Sequence, residues 1–210
     1  MRRPRFIAEQ ARHARGPLGW LIAFIMARET WAQNRRAIDA LEVAPDDHVL
    51  DVGCGPGRAL SELAARAARG RVIGADSSGL MVEVAVGRNR ELVRAGRVDV
   101  AEAGVEALPF PNDAFDKVLC VHVLYFWPDL DAAFSEIARV MKPGGRLALL
   151  FRTDADHEAV HSFPPEVYKF PALSEVTAAL HRARMQTTST QPMGGAMLLL
   201  AGAPSDPPLS

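Results

Sequence analysis

Short apolar runs, each closed by glycine, proline or a carboxylate, alternate along this chain with longer stretches whose apolar positions recur every three or four residues. The runs at 49–52, 71–76, 97–102, 117–121 and 146–151 suit buried strands. Between them the helical period dominates. In 56–69 it places Leu60, Leu63, Ala64 and Ala67 on one face, and in 129–141 it aligns Leu130, Phe134, Ile137, Ala138 and Met141. Helices are also expected over 81–95, stopped by Gly96, and over 173–184, while Gly70 and Pro143-Gly144-Gly145 supply further stops. Strands and helices alternating at this spacing predict an α/β chain, with a mostly parallel sheet flanked by helices on both faces. Two late runs, 185–190 and 196–201, are separated by a turn containing Gly194 and Gly195 and predict an antiparallel pair at the end.

The ends and one internal stretch break the pattern. Residues 1–16 are basic and aperiodic, and 17–41 reads as a helix whose apolar run at 18–27, with Trp31, Ile38 and Leu41, exceeds what one core-facing stripe needs. The excess suits packing on its own domain, a lid, a partner or a membrane surface. Residues 152–171 lose periodicity around Pro164, Pro165 and Pro171 and predict a surface excursion. Residues 204–210 are proline-rich and expected to be disordered. The organisation expected is thus an arm and covering helix over 1–42, a folded domain over 43–203 and a tail.

With 210 residues the chain can bury one substantial core. A net charge of −1 leaves no footprint for nucleic acid, despite Arg2, Arg3, Arg5, Arg12 and Arg15 near the amino terminus. Cys54 and Cys120 lack metal or disulfide spacing and read as small buried residues in a reducing cytoplasm. The run at 18–27 is too short to span a bilayer and has no cleavage site after it, so a cytoplasmic protein is expected.

Candidate chemistry starts at residues 49–58, VLDVGCGPGR, where an apolar strand turns through Gly53, Gly55 and Gly57 into a helix. Such a turn lets a ligand approach the main chain, and the first helical amides favour a carboxylate or phosphate. The dinucleotide fingerprint counted from Gly53 needs glycine at position 58, and Arg58 stands there. The second strand ends on Asp76, about 20 residues beyond the turn, where a ribose diol lies in a doubly wound sheet. Asp76-Ser77-Ser78 equally offers a helix cap.

The D-x-G-x-G-x-G turn from Asp51 to Gly57, followed by Asp76, the segment VEALPFPNDAFDKVLCVHVLYFWPD and RVMKPGG, resembles the class I S-adenosylmethionine-dependent methyltransferases of the ubiquinone-biosynthesis type. The resemblance implies a Rossmann-like, doubly wound, seven-stranded sheet whose last strand is antiparallel, with S-adenosyl-L-methionine as cofactor and S-adenosyl-L-homocysteine as product. It places the methionine moiety at Asp51, Gly53, Cys54, Gly55 and Gly57, the ribose at Asp76, and the adenine near Ser77, Met81, Gly104 and Val105, with Val121 also among the cofactor-binding residues. The chain departs from the pattern at Gly104, where relatives carry an acidic or polar residue. Methyl transfer needs mainly alignment and a dry site, with a general base only if the acceptor still holds its proton. His122 and then Tyr125 are the candidates for that base, and Phe126 and Trp127 for stacking on a flat acceptor. His157 and His161, with Asp154 and Asp156, have helical spacing for a metal, but the nearby prolines and the want of a third ligand argue for no metal. No D/N-P-P-Y motif follows the fourth strand, which favours a small, partly apolar or aromatic metabolite over nucleic acid or protein. The other readings are a nicotinamide-dependent oxidoreductase and a silent module docking a partner or membrane through the amino-terminal helix. The sequence leaves a homodimer open.

Overall fold

Neighbouring residues of each central strand are buried on opposite sides of one sheet. In a computed structural model of the chain, described for residues 4–12, 14–17, 19 and 30–204, Leu50 and Val52 of strand β1 (His48–Val52) join one apolar cluster and Val49 joins the other. Strand β4 (Phe115–Val121) divides in the same way, with Val118 and Cys120 facing one side and Leu119 the other. Strand β5 (Met141–Phe151) sends Leu147, Leu149 and Phe151 one way and Ala148 and Leu150 the other. This double burial explains why these strands read as continuous apolar runs.

Helices cover both faces. On one side lie α2 (Trp31–Ala40) and α3 (Arg58–Arg66), through Ile38, Leu60 and Leu63. On the other lie α6 (Leu130–Val140) and α8 (Leu173–Arg182), through Phe134, Ile137, Val176 and Leu180. Each such side chain, wholly withdrawn from water, contributes about 1.5–3 kcal/mol. Asp129 caps α6, its carboxylate accepting from the Asp131 and Ala132 amides.

With β2 (Arg71–Asp76), β3 (Val98–Glu102), β6 (Gln186–Met193) and β7 (Ala196–Gly202), the sheet has the order β3-β2-β1-β4-β5-β7-β6. The first five strands are parallel, and β7 runs antiparallel between β5 and β6. This is the seven-stranded doubly wound arrangement expected. The chain order reverses between β1 and β4, which opens a crevice beyond their carboxyl ends.

Three elements differ from the sequence reading. The helix expected over 81–95 is broken into α4 (Gly79–Arg88) and α5 (Arg90–Arg94), because the buried Asn89 side chain donates to the carbonyls of Gly57 and Ala85 at 2.9 and 2.8 Å. Strand β5 begins at Met141, running through the Pro-Gly-Gly stop with a register irregularity opposite Phe115 to Lys117. Within the aperiodic excursion, His157–Ser162 forms a short helix, α7, whose first turn is capped by Asp156.

Of the arm, Arg5–Arg12 is helix α1, with Ala8 in the core. Apart from Gly19, the run at 18–27 lies outside the described residues, as do 205–210 of the tail. Among the described residues no helix is long and apolar enough to cross a membrane.

Candidate active site

Beyond the carboxyl ends of β1, β2, β3 and β4 lies a cleft of about 360 Å³. Its floor is the glycine turn. Gly53, Gly55 and Gly57 all have positive φ (70, 52 and 69°), a conformation that side chains resist. The turn is tied to β2, where the amides of Gly53 and Cys54 donate to the Ala75 carbonyl at 2.7 and 3.1 Å. Asp76 then fixes the apex, with Oδ2 accepting from the Gly55 amide and Oδ1 from the Ser78 amide, both at 2.9 Å. Asp76 thus closes an Asx turn ahead of the next helix and does not cap it, since Ser78 holds the N-cap position without a side-chain cap bond, and its carboxylate lines the cleft.

Among the described residues a Cβ built on Gly55 meets nothing within 4 Å, whereas one on Gly53 would run into Val123. Gly55 is thus the open lip of the cradle and Gly53 its packed wall. Asp51, Cys54, Ser77, Met81, Gly104, Val105 and Val121 also line the cleft. Gly57 does not. It begins α3, and its carbonyl accepts from Asn89. Among the described residues nothing fills the space where a longer side chain at Gly104 would stand.

Asp51 is 4% exposed, and burial, reinforced by the nearby Asp76 carboxylate, pushes its pKa up to about 7. Burial likewise pushes the thiols of Cys54 and Cys120 up, so neither is an activated nucleophile.

Among the lining residues that escaped the sequence reading, Gln10, Ala14, Thr30 and Asn34 come from the arm and the start of α2. Ser78 Oγ donates to the Ala14 carbonyl at 3.1 Å and so holds the arm over the cleft. Asn34 presents a buried Oδ1 without a hydrogen-bond partner among the described residues. No motif in the sequence singles it out.

His122 follows β4 with φ of 55° and lines the cleft. Its Nδ1 lies 2.9 Å from the Tyr125 hydroxyl and its Nε2 3.1 Å from Gln33 Oε1. Burial, with the Arg152 guanidinium nearby, depresses its pKa to about 4, so the imidazole is neutral at pH 7. Tyr125 stands behind it, outside the cleft lining and 4% exposed. Its oxygen accepts from the Arg152 amide at 2.6 Å, and burial pushes its phenol up. Phe126 lines the cleft and packs edge-on to Tyr168, while Trp127 is buried edge-on against Phe134. His157 and His161 share α7, where His161 Nδ1 meets the His157 carbonyl. Among the described residues no three potential metal ligands come together.

A glycine cradle with an open lip, an orphan amide oxygen and a carboxylate one strand over fit a small ligand bearing an amino acid and a ribose. Comparison with known proteins agrees. Residues 50–149 match the family model described as a methyltransferase domain. An uncharacterised methyltransferase of Bacillus subtilis, YdaC, is 30% identical over 146 residues, covering 68% of this chain and 78% of that protein. Demethylmenaquinone methyltransferase of Thermus thermophilus is 40% identical over 118 residues, 56% of this chain and 52% of its own, so the chain spans about half of it. In fold, the chain is similar to a protein of a Haloferax volcanii complex between the Trm112 methyltransferase activator and a putative methyltransferase, with a TM-score of 0.74 at 22% identity over 87% of this chain and 92% of that one. It is also similar to geranyl diphosphate C-methyltransferase of Streptomyces coelicolor, solved with S-adenosyl-L-homocysteine, with a TM-score of 0.69 at 20% identity over 81% and 75%. The dinucleotide fingerprint fails at Arg58, the sheet order and glycine turn agree, and the sequence match reaches across most of YdaC: this chain belongs to the S-adenosylmethionine-dependent methyltransferases.

Proposed function

We propose that the protein transfers a methyl group from S-adenosyl-L-methionine to a small, partly aromatic or lipid-like metabolite in the cytoplasm. The observation that carries the reading is the open glycine turn facing Asp76 across the strand-order switch. The cofactor, when bound, supplies the activated methyl group. The residues that would hold it are Asp51 and the turn from Gly53 to Gly55 for the amino-acid end, with Asn34 Oδ1 able to accept from an amino group. Asp76, whose carboxylate lines the cleft, would take the ribose hydroxyls. Ser77, Met81 and the backbone of Gly104 and Val105 would flank the base. The chain aligns the two reactants and keeps water out.

On the far side of Trp127 and Pro128 opens a second groove of about 930 Å³, walled by Phe163, Tyr168 and Phe170. Its aromatic wall supports an apolar or aromatic acceptor, as do relatives named for quinone substrates. The buried thiols of Cys54 and Cys120 suit a reducing compartment.

Thermal unfolding with each cofactor tests the proposal. S-adenosyl-L-homocysteine at a hundred times its Kd should stabilise the protein by about 2.7 kcal/mol, and a nicotinamide dinucleotide should leave the midpoint unchanged. The reverse result would retire methyl transfer in favour of hydride transfer.

Asp51 makes binding depend on pH. Its folded pKa of about 7 exceeds the unfolded value of 3.8, so the free protein loses stability at this site as pH rises from about 4 to 7. A cationic amino group favours the ionised carboxylate, and the ionised fraction grows about tenfold between pH 6 and 8. Calorimetric affinity for S-adenosyl-L-homocysteine should rise correspondingly over that window in the wild type and stay flat in Asp51→Asn.

A further inference from the structure

The two nitrogens of His122 have partners on opposite sides, and the polarity of those partners decides which nitrogen carries hydrogen. Gln33 Nε2 lies 3.1 Å from the Met193 carbonyl and 3.4 Å from that of Gly194. Both oxygens only accept, so the amide must turn its NH2 group toward them and its oxygen toward His122. That oxygen also only accepts, at 3.1 Å from Nε2, which requires an Nε2–H. Nδ1 is left with a lone pair. It accepts from the Tyr125 hydroxyl, whose oxygen accepts from the Arg152 amide. Every donor in this chain meets an acceptor. The opposite tautomer would set the Nε2 lone pair against Gln33 Oε1.

We propose that Gln33 is a positioning residue, which holds His122 in its Nε2–H tautomer and pins helix α2 at once to the imidazole and to the turn between β6 and β7. Gln33 belongs to α2, the helix that carries Asn34 to the cofactor cleft. While α2 is in place both His122 nitrogens are engaged, Nε2 by its hydrogen to Gln33 and the Nδ1 lone pair by the Tyr125 hydroxyl, so neither takes a substrate proton. An acceptor methylated in that state needs no proton removed by His122, as with a free amine, a thiolate, or an ionised phenol or enol. Proton abstraction by His122 would first require Gln33 to let go. This rests on the methyl-transfer reading, but its test is separate.

Long-range proton–nitrogen correlation spectra of the full chain, labelled with nitrogen-15 histidine, distinguish the tautomers, and His122→Asn assigns the signal. The wild type should show Nε2–H. In Gln33→Leu the Nδ1–H population should rise about tenfold, the worth of one buried hydrogen bond, whereas Tyr125→Phe, which keeps Gln33, should retain Nε2–H. A wild-type Nδ1–H signal, or a Gln33→Leu spectrum like the wild type's, overturns the assignment. So does loss of the Nε2–H form in Tyr125→Phe with retention in Gln33→Leu. Calorimetry with S-adenosyl-L-homocysteine on the same samples judges the cofactor reading independently, since failure to bind it would retire methyl transfer whatever tautomer is seen.

Discussion

Asp76→Ala should weaken binding of S-adenosyl-L-homocysteine by a hundredfold or more. The substitution removes two bonds from a carboxylate to backbone amides, those of Gly55 and Ser78. Hydrogen bonds to charged groups contribute about 1.5–3 kcal/mol each, so the cradle loses its anchor as well as the groups proposed for the ribose. Asp76→Asn keeps one acceptor oxygen and turns an NH2 group toward the other amide, so it should fall between the wild type and alanine. Calorimetric titration measures both variants. Undiminished binding in the alanine variant would show that the nucleoside lies elsewhere.

Gly55→Val should have a comparable effect on the ligand by a different route. At φ of 52° a β-branched side chain is strained, and left-handed geometry costs an L-residue about 1–2 kcal/mol. Among the described residues no atom blocks the new Cβ, so the added side chain projects into the space proposed for the cofactor. Binding should drop below detection while the protein still unfolds cooperatively, a few degrees lower. Gly55→Ala should lie between. Were Gly55→Val to bind as the wild type does, the turn would be a tight connection and not a cradle.

How much of this was legible in the sequence follows from where each signal arises. Central strands buried on both faces announce themselves as apolar runs, so the strand segments near Val49, Val118 and Leu147 were readable, along with the parallel order their spacing implies. The α4–α5 break was not, because a single asparagine side chain reaching back to Gly57 overrides a good helical pattern. The site divides in the same way. Asp51, Gly55 and Asp76 stand at strand ends, where ligands collect in such sheets, and the chain brings them together in one cleft. Gly57 shares their motif but serves the start of α3. Tyr125 shares the loop of His122 but stands behind it. Thr30, Gln33 and Asn34 were invisible, since docking of α2 beside β4 is a long-range event that no local period encodes. The resemblance named the family from the middle of the chain and was silent on the arm, from which the cleft takes Gln10 and Ala14.

Crystals of the full chain grown with S-adenosyl-L-homocysteine would locate the ligand. Its amino-acid end should lie against the turn at Gly53 to Gly55 and its ribose hydroxyls on Asp76. Density for the ligand at any other place, or a nicotinamide dinucleotide bound across the same turn, would contradict that placement.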